Sequence, residues 1–162
     1  MASLYLVMGC SGVGKTTFSK RFANENGMLY FAPDDIYALI NGDERIRDNK
    51  FTVWITLFQA IHAAEEAGRS CVVDTNALTQ NDRDQFLGWF PTFDHHLVYI
   101  EAAPELRRHN NLQRLRQIPD EDMDRMTQLV QPPTWGHLDK RWLTFTHMMN
   151  VNNKFEVVEK RG

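Results

Sequence analysis

The chain is poor in several features, and each shortage excludes something. Among 162 residues there are only two cysteines, Cys10 and Cys71, too few for a disulfide scaffold. Both lie at the ends of apolar runs and read as small buried residues. No stretch approaches the roughly 20 apolar residues of a membrane span. The opening MASLYLVMGCSG has no basic leader and carries a motif the mature protein needs, so it reads as a strand, not a signal peptide. These features set the expectation of a cytoplasmic protein with no membrane partner. The net charge of −3 gives no general attraction to polyanions. Contact with nucleic acid would have to come from local clusters: Arg45, Arg47 and Lys50; Arg107, Arg108, Arg114 and Arg116; Lys140 with Arg141. There is no internal repeat, low-complexity run or linker, and the length suits a single domain spanning 1–162.

What is present supports a real core, with 43% hydrophobic residues including ten Phe and four Trp. Short apolar runs alternate with helical stretches. SLYLVMG (3–9) reads as a buried strand, followed by a Gly-rich turn and a helix ending near Gly27. MLYF (28–31) is a second strand and DDIYALIN a short helix closed by Gly42. Apolar residues recur at helical spacing from Lys50 to Ala67, with Gly68 as the stop. SCVVDTN (70–76) and HHLVYIE (95–101) are further strands, separated by a helix that Thr79 and Asp82 cap. Pro104 launches a helix through ELRRHNNLQRLR, and 120–130 forms one more. RWLTFTHMM and KFEVVEK read as closing strands joined by NVNN. Strands alternating with helices predict an α/β fold, a three-layer αβα sandwich with a mainly parallel sheet. Such sheets bind ligands at the carboxyl ends of their strands.

The first strand ends in GCSGVGKT, Gly9 to Thr16, which fits G-x-x-x-x-G-K-[ST] between an apolar strand and a helix. Gly9, Ser11, Gly12, Val13 and Gly14 form a loop whose backbone N–H groups can turn toward phosphate oxygens. The helix N-terminus, opening with Lys15, Thr16 and Thr17, adds its positive dipole end. Lys15 reaches the outer phosphates, and the Thr16 hydroxyl is a ligand for Mg²⁺. The loop predicts nucleoside triphosphate binding and leaves its use open. A base-reading N-K-x-D, a D-x-x-G after the third strand and a transporter signature loop are all missing. A small phosphotransferase remains, which requires an acceptor-activating base and a basic lid.

Asp34 and Asp35 follow the second strand and so share the P-loop edge of the sheet. Two readings stand: a helix cap, or a carboxylate that orients a hydroxyl and accepts its proton. Asp74 ends the apolar run CVV and faces Thr16 as a second candidate for holding Mg²⁺. Thr75 and Asn76 extend that polar edge toward the acceptor. Arg108, Arg114 and Arg116 can lie over a triphosphate, where a guanidinium stabilises the transferring phosphoryl, or simply form a wet helix face. His109 and the pair His95–His96 lack partners at metal spacing and read as structural.

The strings GCSGVGKTTF, DDIY, VVDTN and RHNNLQRLRQIP followed by PPT occur in this order in the 5′-polynucleotide kinases. Over roughly residues 3–135 the chain resembles that family, in its phage enzymes and in the kinase domains of polynucleotide kinase/phosphatases. The resemblance implies transfer of the γ-phosphoryl of ATP, with Mg²⁺, to a nucleic-acid 5′-hydroxyl. It implies Asp34 as general base with Asp35 as its helix-capping neighbour, Asp74 as the D-T-N aspartate, and Arg114, with Arg116, on a lid at about 105–135. Catalytic Lys15, Arg114 and Asp34 would thus act with Asp35, Thr75 and Asn76 on the acceptor side. Two positions depart from the pattern: Pro33 precedes the catalytic Asp, and Tyr37 stands where phage enzymes place an acceptor-reading arginine. Arg45 and Arg47 are the candidates to replace it. Related small kinases act on hydroxymethylated bases in DNA, nucleosides or other small molecules, and a nucleotide-gated binding protein is the reading from a different class.

Overall fold

Alternation along the first apolar run decides the layers. In strand β1 (Ser3–Met8), Leu4, Leu6 and Met8 join one buried cluster while Val7 joins the other. The computed structural model, which describes residues 1–162, shows that split carried through the whole sheet. On one face, helices α3 (Lys50–Glu66) and α4 (Gln80–Trp89) lay Leu57, Ile61, Phe86 and Leu87 against the strands. On the other, helix α1 (Lys15–Glu25) contributes Phe18 and Ala23 over Val7, Val72, Val98 and Ile100. Each large side chain withdrawn from water contributes roughly 1.5–3 kcal/mol. Two such clusters hold the sheet rigid between them, and the strand ends with it.

The remaining strands are β2 (Leu29–Phe31), β3 (Cys71–Asp74), β4 (Asp94–Ala102), β5 (Trp142–Val151) and β6 (Lys154–Arg161). Their order is β2-β3-β1-β4-β5-β6, all parallel except β6, which pairs antiparallel with β5. The chain builds β2 and β3 on one side of β1, then crosses to β4 on the other. The loop after β1 therefore lies at the switch point where open α/β sheets form a crevice. The α/β expectation holds, as does the closing hairpin. Asn152 and Asn153 adopt φ of 51° and 65°, the left-handed values a two-residue hairpin turn requires.

Local rules explain the other boundaries. Thr79 and Asp82 form a reciprocal capping box at the start of α4, with bonds of 3.1 and 3.2 Å. Helix α2 (Pro33–Asn41) begins with Pro33 at its first position and stops at Gly42, whose φ is 80°. Neither Asp34 nor Asp35 caps it. The residue at the cap is Ala32, which has no side chain able to do so, and Asp35 is exposed in the first turn. One expected element is shorter than its periodicity. Helix α5 (Pro104–Leu112) was expected to run through Arg116 but ends at Leu112, because the Asn111 side chain turns aside to bond the backbone of Ile118. Arg114 and Arg116 therefore sit on a loop leading to α6 (Asp120–Leu129).

Helix α5 crosses directly over the P-loop. A Cβ on Gly12, whose φ is 85°, would lie 2.4 Å from the Arg107 carbonyl oxygen. Gly12→Ala is expected to lower the melting temperature and abolish nucleotide binding. Gly88→Ala, on an exposed face of α4 with nothing within 4 Å, is expected to stabilise by about 0.5–1 kcal/mol. Thermal unfolding of the two variants checks both signs.

Candidate active site

Three loop carbonyls are held from outside the P-loop. Arg107 Nε donates to the Ser11 carbonyl at 3.1 Å, Asn110 Nδ2 to Gly12 at 2.9 Å, and Asn150 Nδ2 to Val13 at 2.9 Å. With the carbonyls engaged outward, the N–H groups and the N-terminus of α1 are left for an anion. Lys15, buried at the first turn, folds back so that Nζ donates to the carbonyls of Gly9 at 2.8 Å and Cys10 at 3.0 Å. Burial, more than any neighbour, lowers its ammonium from 10.5 to about 8, partly offset by Asp74.

Thr16 Oγ1 donates to Asp74 Oδ2 at 2.8 Å, and Tyr30 Oη donates to the same oxygen at 2.8 Å. Burial and then the Asp74 charge raise the Tyr30 phenol, so it remains a donor across the working pH range. The residues fit a magnesium ion. A hydroxyl and a carboxylate side by side at a phosphate cradle are hard oxygen ligands, and no cluster of three or more carboxylates, His or Cys competes for the role. Thr16 and Asp74 would hold the ion, which when bound neutralises phosphate charge.

Across the crevice, Asp34 is surrounded by arginines. Arg47 Nη1 donates to Oδ1 at 2.9 Å, Arg114 Nη2 to Oδ2 at 3.2 Å, and Arg116 Nε lies 4.0 Å from Oδ1. Arg47 also lies over the Tyr37 ring at 3.6 Å from its centroid. Buried Arg116 Nε has no hydrogen-bond partner, and burial followed by Arg47 lowers its guanidinium. Three cations share one carboxylate here, so the crowding of like charge fits an incoming polyanion such as a triphosphate.

These groups line one cavity of about 910 Å³. Ser11, Gly12, Gly14, Lys15, Thr16 and Thr17 form its floor, with Asp34, Asp35, Arg47, Asp74, Thr75, Asn76, Arg114 and Arg116 around it. Gly9 and Val13 do not line it, and their carbonyls accept from Lys15 Nζ and Asn150 Nδ2. Three expected arginines lie elsewhere on the surface. Arg45 is exposed and closed on Asp43 at 2.6 Å, a pairing two residues away that holds it off the cavity. Arg108 points outward from α5 to Asp124 at 3.3 Å, because the helix turns that face to solvent. Arg141 likewise pairs with Asp139 on the surface.

Several lining residues were not identified from sequence. Tyr30 precedes the end of β2, and its place beside the D-T-N strand was the available signal. Exposed Lys20 on α1 and half-buried Trp54 on α3 reach the cavity as well, since helical periodicity says nothing of which end faces the crevice, and Lys50, expected in a basic cluster, joins them. Asn110, Gln113, Asn153 and Phe155 meet at the far end, and no local pattern marks them. A Cβ on Gly14, with φ of 97°, would lie 2.9 Å from Phe155 Cζ, so the terminal hairpin packs against the loop itself.

Residues 4–133 match the AAA domain family. The chain belongs to that family. No curated protein matches the sequence. Among solved structures, a gluconokinase from Sinorhizobium meliloti 1021 superposes with a TM-score of 0.62 at 17% identity, covering 91% of this chain and 82% of its own. A sugar kinase from Janibacter sp. HTCC2649 gives 0.66 at 18% identity, over 92% and 86%. A chain of the Pnkp1/Rnl/Hen1 RNA repair complex gives 0.69 at 18% identity, over 79% of this chain and 44% of that one. The AAA-domain chain thus has a kinase-like P-loop fold, and membership implies use of ATP, usually with Mg²⁺. No helix is long and apolar enough to cross a membrane.

The lowered Lys15 ammonium gives a signed pH dependence. A bound triphosphate favours the charged lysine, so binding near pH 8 draws in a proton and affinity falls as pH rises through about 8. Titration calorimetry with ATP in buffers of different ionisation enthalpy is expected to report net proton uptake near pH 8. Lys15→Met is expected to remove that uptake.

Proposed function

We propose that this protein transfers the γ-phosphoryl of ATP to a 5′-hydroxyl at the end of a nucleic acid. The observation that carries the reading is Asp34, held by Arg47 and Arg114 across the crevice from Lys15, Thr16 and Asp74. A hydroxyl bound between them meets a carboxylate on one side and the phosphate cradle on the other. Asp34 orients the hydroxyl and accepts its proton as the O–P bond forms and the bond from the γ-phosphorus to the bridging oxygen breaks, releasing ADP, while Lys15, Arg114 and Arg116 stabilise the charge on the phosphoryl oxygens. Asp35, Thr75 and Asn76 face the acceptor side.

Beyond Asp34 the cavity wall offers Arg47 on Tyr37, then Lys50 and Trp54. Cations for a backbone phosphate beside an aromatic face for a base suit an oligonucleotide end. Arg47 thereby takes the acceptor-reading part that Tyr37 does not supply. A second reading, a small-molecule hydroxyl kinase, is favoured by the likeness to the gluconokinase and the sugar kinase over most of their own length.

The deciding experiment is phosphoryl transfer from γ-labelled ATP to 5′-hydroxyl DNA, 5′-hydroxyl RNA, hydroxymethylated duplex, nucleosides and sugar acids. Label on the 5′-hydroxyl oligonucleotides, with KM rising steeply with salt, is expected. Label on small hydroxyl compounds alone, without a salt slope, would replace the first reading by the second. A paired test separates the two aspartates. Asp34→Asn is expected to cut transfer by about 10²–10⁴-fold with ATP still bound, the range for a lost general base, and Asp35→Asn by less than about ten-fold.

A further inference from the structure

Asn111 is 4% exposed and does not line the cavity. Its carboxamide closes the loop that follows α5. Nδ2 donates to the Ile118 carbonyl at 2.7 Å, and Oδ1 accepts from the Ile118 N–H at 2.8 Å. Two opposed bonds to one backbone residue fix the separation of the loop ends and their relative rotation. Ile118 is itself buried, so no solvent is at hand to replace those bonds. The backbone tightens the start of the loop, where the Gln113 and Arg114 N–H groups donate to the Asn110 and Asn111 carbonyls.

The loop so closed carries Arg114 and Arg116, whose guanidiniums stand 3.2 and 4.0 Å from Asp34. Helix α5 is itself bolted to the cradle by Arg107 on Ser11 and Asn110 on Gly12. Phosphate cradle, helix and arginine loop are thus joined by side-chain bonds at every junction. A guanidinium has to sit within hydrogen-bond distance of the oxygen where charge develops, and a misplacement of about 1 Å costs about 10²-fold.

We propose that Asn111 is a positioning residue, whose clasp on Ile118 sets the reach of Arg114 and Arg116 toward the outermost phosphate of a nucleotide in the cradle. This rests on the nucleotide-donor half of the function proposed above and is independent of the acceptor. Without the clasp the loop is free to swing, and the two guanidiniums lose their fixed distance from the cradle. A nucleoside diphosphate, which stops short of that position, is indifferent to the change.

The test is calorimetric affinity for Mg·ATP and Mg·ADP in Asn111→Ala, with thermal unfolding followed in parallel. Asn111→Asp, which keeps an oxygen to accept from the Ile118 N–H and loses the donor to its carbonyl, is the second variant should the alanine form fail to fold. The loss of hydrogen bonds to a charged group predicts ATP affinity weakened about ten-fold and ADP affinity within about two-fold of wild type. In an Arg114→Ala/Arg116→Ala background the same substitution is expected to cost ATP affinity nothing further. Equal loss for ATP and ADP, or the same loss in both backgrounds, would overturn the proposal while leaving the donor reading intact. A wild-type chain that binds neither nucleotide would overturn both.

Discussion

A backbone loop can turn its N–H groups toward phosphate only if its carbonyls are turned away and satisfied there. That constraint organises this molecule. Arg107 and Asn110 come from α5, Asn150 from β5 and Lys15 from the loop's own helix, each spending a donor on a loop carbonyl. The supply of donors requires α5 to cross the loop closely enough that Gly12 has no room for a Cβ. It also requires β5 beside β4 so that Asn150 arrives behind Val13. The phosphate cradle is therefore completed by side chains 96, 98 and 137 residues along the chain from the carbonyls they hold.

The same arrangement explains the electrostatics. Arg107 is absorbed entirely into structure, bonding Ser11, Thr127 and Met123. Arg114 and Arg116, on the loop beyond the end of α5, converge with Arg47 on Asp34. A carboxylate shared by three guanidiniums gives a local field very different from the chain's weakly negative total. Asp34 holds those cations in place by direct contact.

Tyr30 and Thr16 show a smaller version of this economy. Both hydroxyls donate to one oxygen of Asp74, which fixes the orientation of the carboxylate. Tyr37 serves Arg47 in the same manner, as a flat surface beneath its guanidinium. The aromatic residue that interrupts the arginine pattern thereby supports an arginine ten positions later.

The one-dimensional record settled what depends on neighbours in the chain. Strand, glycine turn and helix specify the P-loop because its residues are contiguous, and Pro33, Gly42 and the Thr79–Asp82 box mark helix ends through local bonds. Between Asp34 and Asp35 the local pattern left the choice open, and only the resemblance to the polynucleotide kinases singled out Asp34. The structure keeps Asp34 among the arginines and leaves Asp35 exposed. The capping role expected for Asp35 failed because the chain enters α2 extended through Ala32. Arg45, Arg47, Arg108 and Arg114 are alike as letters, and only packing decides that Asp43 and Asp124 take two of them while Asp34 takes the others. Asn153 and Phe155 reach the loop from more than a hundred residues away. Local rules act over one helical turn, whereas the cavity is closed by contacts between distant segments that meet only once the sheet has formed.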